Sequence, residues 1–87
     1  MAGTNPMDVR KELLEMWSDI LQRNDIGYDQ NFLQLGGDSL SAMLCISRVQ
    51  RRFGVELFVE DFFMDTGTVE ELSRTIERAM DPGQVRS

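Results

Sequence analysis

The run Gly36-Gly37-Asp38-Ser39-Leu40 holds the residues best placed for chemistry. Two adjacent glycines allow a positive φ, or a close approach that a side chain would block. Asp38 and Ser39 are both helix-capping types, and helical spacing begins at Leu40. The pattern predicts a serine hydroxyl held in an accessible position at a helix N-terminus. Free N–H groups and the helix dipole make such a place a ready anion site, so a phosphate esterified to Ser39 would lie within that field. Asp38 would repel it somewhat, which suits Asp38 better to capping or to being read by a modifying enzyme. A serine here is equally compatible with a plain cap, and spacing alone leaves both readings open.

Hydrolytic chemistry is opposed by what is missing. Gly37-Asp38-Ser39-Leu40 spells the nucleophile block of GDSL-type esterases, but a serine hydroxyl is a weak nucleophile without a nearby base. The chain has no histidine, so no Ser-His-Asp arrangement can be assembled, and 87 residues are too few for that fold. The single cysteine, Cys45, rules out an intrachain disulfide and a cysteine-cluster metal site. Asp25, Gly27, Asp29 and Asn31 invite comparison with a calcium loop. Glycine sits at its third position, however, and Gly36 stands at the twelfth, where a bidentate glutamate is needed. No metal site is expected.

Nine basic and fifteen acidic residues give a net charge of -6. Phosphate backbones and anionic membranes reward the opposite sign, so no nucleic acid and no membrane partner is expected. No apolar run reaches transmembrane length, and a soluble, cytoplasmic protein is expected. Hydrophobic content of 41% with 28% charged residues suits one small folded domain. Such a domain buries roughly 60–65% of its unfolded surface and has a stability on the order of 5–9 kcal/mol. That size leaves no room for a deep substrate cavity.

The elements that must position Ser39 read as helices. Residues 1–7 form a small polar leader, expected to be flexible. From Asp8, a candidate cap, Val9, Leu13, Met16, Trp17, Ile20 and Leu21 recur at helical steps and predict a first helix to about Arg23. A long polar connection follows, from Asn24 to Asp38, and Phe32 and Leu35 within it are expected to plug into the core. The second helix, Ser39 to about Phe53, carries an inward stripe of Ala42, Cys45, Ile46, Val49 and Phe53. Leu40, Met43 and Leu44 fall outside the stripe and predict an apolar patch beside Ser39, the mark of a binding surface. Arg48, Arg51 and Arg52 suit the C-terminal end of the dipole and read as a solvated helix end, with Gly54 as the stop. Glu60 to Met64 predicts a short helical turn with Phe62 or Phe63 inward. Thr68-Val69-Glu70-Glu71 fits a capping box, Thr68 as cap and Glu71 reaching back. Val69, Leu72, Ile76 and Met80 predict the buried stripe of a last helix, stopped by Asp81-Pro82-Gly83, with residues 82–87 a flexible tail.

Phe32-Leu33-Gln34-Leu35-Gly36-Gly37-Asp38-Ser39-Leu40 closely resembles the modification site of phosphopantetheine-dependent carrier proteins. The resemblance extends through Ala42, Ile46, Val49 and Phe53-Gly54-Val55. Upstream, Met16-Trp17-Ser18-Asp19-Ile20-Leu21 and Asp29-Gln30-Asn31-Phe32 are similar to the family's first helix and loop. Downstream, Thr68-Val69-Glu70-Glu71-Leu72 is similar to the start of its last helix. The resemblance implies an all-α four-helix bundle with a short third helix and a long first loop, spanning residues 8–81. It implies a non-catalytic carrier whose Ser39 receives 4'-phosphopantetheine from coenzyme A through a separate phosphopantetheinyl transferase with magnesium. The arm then holds aminoacyl, peptidyl or acyl intermediates as thioesters. The implied partners are an adenylating or acyl-loading enzyme and condensation, tailoring or thioesterase enzymes. Asp38, Leu40 and Met43 become candidate partner-recognition residues. The double glycine and Trp17 resemble peptidyl carriers of nonribosomal peptide synthesis or closely related hybrid polyketide carriers. The arginines of the second helix depart from the acidic helix of fatty-acid carriers, and Gly67 stands where the family often has proline. Short tails at both ends suggest a free-standing monomer. The competing reading is a helical interaction module in which Ser39 is only a cap or a phosphorylation site.

Overall fold

The computed structural model describes the backbone of residues 6–80 and the side chains from Val9 to Met80. Four helices follow one another: α1 (Pro6–Leu21), α2 (Ser39–Phe53), α3 (Val59–Phe62) and α4 (Val69–Met80). α1 packs against α2 and α4, and α2 against α3. The expected all-α bundle with a short third helix is therefore the observed one. Residues 1–5, the Asp81-Pro82-Gly83 stop and the tail at 82–87 lie outside the described residues.

Both ends of α1 differ from expectation. The helix starts at Pro6, within the expected leader, and Asp8 lies inside it rather than capping it. A proline in the first turn has no N–H to leave unsatisfied, and its fixed φ already suits a helix. At the other end Gln22 adopts φ 57, and the Arg23 N–H turns back to the Ser18 carbonyl at 3.0 Å. That is the closing bond of a Schellman motif. The left-handed residue is non-glycine, and the Gln22 side-chain amide donates to the Asp19 carbonyl at 2.7 Å, which helps to hold it. The helix thus stops two residues before Arg23.

The predicted stripes are buried. Val9, Leu13 and Trp17 of α1, Ala42, Cys45 and Val49 of α2, and Val69, Leu72 and Ile76 of α4 are shielded from solvent, while Ile46, Phe53 and Met80 pack at the margin. Phe32 and Leu35 do enter the core. Phe32 sits at its aromatic centre, edge-on to Trp17 at 4.9 Å and to Phe62 at 5.0 Å between ring centroids. Of the two α3 candidates, Phe62 is fully inward and Phe63 half-buried. The Trp17 indole N–H is buried with no acceptor among the described residues. Burial of the large ring must offset that orphaned donor.

Charged residues tie helices together where a solvated end was expected. Arg48 reaches Asp19 at 2.7 Å and Arg52 reaches Glu12 at 2.6 Å, both on α1. Only Arg51 of the three stays on its own helix, near the Ser47 hydroxyl at 3.5 Å. Arg10 bonds Glu70 of α4 at 3.0 Å with its guanidinium 4.6 Å over the Tyr28 ring. These pairs are half-exposed, so each contributes at most about 1 kcal/mol. At α4, Thr68 Oγ1 accepts the Glu71 N–H at 3.1 Å as predicted. The Glu71 carboxylate does not reach back, however, and instead accepts from Arg74 at 3.3 Å.

Burial pushes the Cys45 thiol up to about 12, a little offset by the Arg48 charge. The folded value lies above the unfolded one, so the neutral thiol costs nothing below about pH 8.5, and stability falls as pH rises toward the folded value. Cys45 is expected to react with a thiol reagent at pH 8 only through unfolding, its labelling rate rising with urea. Complete labelling of the native protein within the mixing time would contradict its burial.

Candidate functional site

The site is built outward from Phe32. With that ring in the core, the chain winds over it in tight turns: Leu35 N–H to the Asn31 carbonyl at 3.2 Å, Gly36 N–H to Leu33 at 3.0 Å, and Gly37 N–H to Phe32 at 3.0 Å. The two glycines serve different ends. Gly36 has φ 90 with open space around it, so its need is conformational. Gly37 packs hard against the Phe32 ring, and a Cβ there would collide with its Cε2 atom. The loop can press onto the core only because position 37 has no side chain.

A second set of bonds fastens the loop to the turn before α4. The Phe32 N–H donates to the Gly67 carbonyl at 2.8 Å, and Asn31 Nδ2 donates to the Met64 carbonyl at 3.2 Å. Asn31 Oδ1 also accepts the Leu33 N–H at 3.0 Å. Gly67 is buried, and a Cβ on it would collide with the Phe62 carbonyl. Its N–H bonds the Met64 carbonyl at 2.9 Å, and Thr66 Oγ1 donates to the Asp61 carbonyl at 3.1 Å. Hydrogen bonds fasten this turn without a proline ring.

α2 opens on that platform. Asp38 is its cap: the backbone is extended, and Oδ1 accepts the Ser41 N–H at 2.9 Å. That bond, with help from the Ser41 side chain, holds the Asp38 carboxyl below the usual carboxylate range. The cap is therefore present at neutral pH and is lost only as pH falls through that lowered value. Ser39 is the first residue of α2. It is exposed, and its hydroxyl takes part in no hydrogen bond among the described residues. The reading of Ser39 as merely a cap is thus corrected. Asp38 has the extended backbone that a cap requires, whereas Ser39 is already helical, with its hydroxyl free.

Leu40, Met43 and Leu44 are 67%, 57% and 49% exposed. Positions one, four and five after Ser39 lie around the same flank of a helix, so the predicted apolar patch is present beside the hydroxyl. Asp38 adjoins it, its carboxylate turned back onto α2. Two contributors were not read from the sequence, Asn31 as a clasp and the close approach of Gly37 to Phe32; the paired glycines were the available signal. Asp25, a member of the weighed calcium loop, is ion-paired to Arg23 at 3.0 Å. Chemically the site offers an unassisted hydroxyl in the favourable field of a helix N-terminus. It suits receiving a phosphate ester better than attacking a substrate.

The family model described as phosphopantetheine attachment site matches residues 11–76. Gramicidin S synthase 2 of Brevibacillus brevis is 42% identical over 69 residues, 79% of this chain and 2% of the synthase. Surfactin synthase subunit 2 of Bacillus subtilis is 36% identical over 72 residues, 83% of this chain and again 2% of that protein. The chain therefore spans about one-fiftieth of the length of these relatives. Among solved structures, an active-site mutant peptidyl carrier protein in solution matches with TM-score 0.80 at 32% identity, covering 93% of this chain and 87% of that one. A chain from the complex of the phosphopantetheine transferase Sfp with coenzyme A and a peptidyl carrier protein matches with TM-score 0.76 at 34% identity, covering 88% and 96%. The matched segment takes in α2, the loop that Phe32 anchors, and most of the helices packed around them. On that extent of agreement, the chain belongs to the phosphopantetheine attachment-site family.

Proposed function

We propose that Ser39 is the residue carrying the 4'-phosphopantetheine arm, and that the domain works as a peptidyl carrier in nonribosomal peptide or hybrid polyketide synthesis. The observation that carries the reading is the free, exposed Ser39 hydroxyl at the start of α2, with capping delegated to Asp38. When bound, the arm supplies a terminal thiol that holds aminoacyl, peptidyl or acyl groups as thioesters. This chain's own residues present and orient the attachment oxygen. The Phe32 anchor and the Asp38 cap fix its position, and the α2 N-terminus favours the phosphate charge. No base beside Ser39 is needed, because a phosphopantetheinyl transferase acting with magnesium on coenzyme A performs the transfer. The domain itself catalyses nothing, and its setting is cytoplasmic. Its further partners are an adenylating or acyl-loading enzyme and condensation, tailoring or thioesterase enzymes. They meet a face made by Leu40 and Met43, with Asp38 at its edge.

Incubation with coenzyme A, magnesium and a transferase of broad specificity is expected to add one phosphopantetheine by intact mass, on the peptide containing Ser39. A folded protein that gains no mass would sink the proposal. The face is tested separately. Met43→Asp is expected to lower the kcat/KM of the transferase reaction about tenfold, consistent with loss of an interface contact. Its far-ultraviolet circular dichroism should be unchanged, since exposed positions tolerate substitution within about 0.5 kcal/mol. Unfolding of this variant would instead place Met43 in the core.

A further inference from the structure

The sulfur atoms of this domain are unequally protected. Cys45 is fully buried, and Met16 and Met80 are packed against the core. Met43 and Met64 stand in solvent, 57% and 61% exposed. Met43 differs from Met64 in its address: it lies one helical turn beyond Ser39, on the flank that Leu40 and Leu44 share. Susceptibility of sulfur to peroxides follows exposure, and a methionine sulfoxide turns a flexible apolar side chain into a polar one.

Resting on the reading of Ser39 and its flank given above, we propose that Met43 is a site of reversible oxidation by hydroperoxides that weakens the Ser39 face as a docking surface for the transferase. The thioether sulfur donates an electron pair to one peroxide oxygen, so an S–O bond forms as the O–O bond breaks. The departing oxygen takes up a proton and leaves as an alcohol, or as water when the oxidant is hydrogen peroxide. Sulfur loses two electrons and the peroxide gains them. The new S–O dipole must then be desolvated whenever a partner covers the patch, a cost the thioether does not impose. The buried thiol is spared, so the change stays on the surface and leaves the core intact. Reduction by a methionine sulfoxide reductase restores the thioether.

The test uses the protein before attachment of the arm, whose thiol would itself consume peroxide. After treatment with hydrogen peroxide and removal of the oxidant, peptide mass spectrometry gives the sulfoxide at each methionine. The rate of phosphopantetheine transfer is then measured against the untreated protein. As Met43 sulfoxide accumulates, kcat/KM is expected to fall about fivefold, as for loss of one favourable interface contact, and to recover after reductase treatment. Met64→Leu should respond to peroxide as the unaltered protein does. Met43→Leu, compared with its own untreated form, should not respond. Full sulfoxide at Met43 with an unchanged rate overturns the inference alone, as does an equal loss in Met43→Leu or a loss accompanied by a fall in helical circular dichroism. An untreated protein that accepts no arm overturns the carrier reading, and this inference with it.

Discussion

Ser39→Ala is expected to abolish phosphopantetheine attachment completely while leaving the fold as stable as before. The hydroxyl enters no hydrogen bond among the described residues and faces solvent at the first position of α2, and alanine is the better helix former. Stability should therefore change by no more than about 0.5 kcal/mol, a shift of about 3 °C or less in thermal midpoint for a domain of this size. The informative contrast is Asp38→Ala, which removes the carboxylate that accepts the Ser41 N–H and should cost about 1 kcal/mol. Adjacent residues thus separate cleanly, one structural and one chemical. Intact mass and thermal melts of the two variants measure both. A mass gain surviving in Ser39→Ala would move the attachment elsewhere, and a large drop in its melting temperature would make the hydroxyl structural.

Phe32→Ala is expected to be among the most damaging single changes to the fold, at about 3–5 kcal/mol. The ring is fully buried and makes edge contacts with both Trp17 and Phe62, so its removal leaves a cavity at the meeting point of α1, α3 and the long loop. Set against a total stability on the order of 5–9 kcal/mol, the variant would be marginal, its thermal midpoint lower by about 15 °C or more. The loop would also lose its floor, since Gly37 rests on that ring. Attachment at Ser39 should slow even under conditions that keep the variant folded. Leu33→Ala, one residue on and 51% exposed, serves as the control and should be close to neutral. Urea denaturation of the pair gives the difference, and a loss below about 1.5 kcal/mol for Phe32→Ala would contradict the anchoring role.

Much of this architecture was legible before any coordinates. Helical spacing placed Val9, Leu13 and Trp17, then Ala42, Cys45 and Val49, then Val69, Leu72 and Ile76 on inward faces, and all are buried. Periodicity succeeds there because a helix turns at a fixed rate, and burial of an apolar stripe is the largest force acting on it. The same logic left Leu40 and Met43 outside the stripe and therefore in solvent. Phe32 and Leu35 were legible as anchors because apolar side chains in a long polar loop have little reason to be there unless they are buried.

Other features depended on pairs far apart in the chain. Arg48 and Arg52 looked like a solvated helix end, because which carboxylate a guanidinium meets depends on how α1 and α2 are rotated against each other. Gly67 looked only like a departure from a position where proline is often found. Only the approach of Phe62 shows that the position excludes a side chain. Asp8 looked like a cap, but capping depends on backbone dihedrals that composition does not dictate, and the helix begins at Pro6 instead.

The division is sharpest at Asp38 and Ser39. The sequence by itself determined that a small all-α domain would bury three stripes, hold a long loop by Phe32 and Leu35, and open its second helix at a serine. It determined those things because they follow from local spacing and residue type. Tertiary structure alone decided which of the two neighbouring polar residues would cap that helix. Asp38 stays extended because the preceding loop is pinned to the core beneath Gly37 and to Gly67 beyond it. Ser39 is thereby carried into the first helical turn with its hydroxyl unused, which is the ground for proposing it as the attachment point.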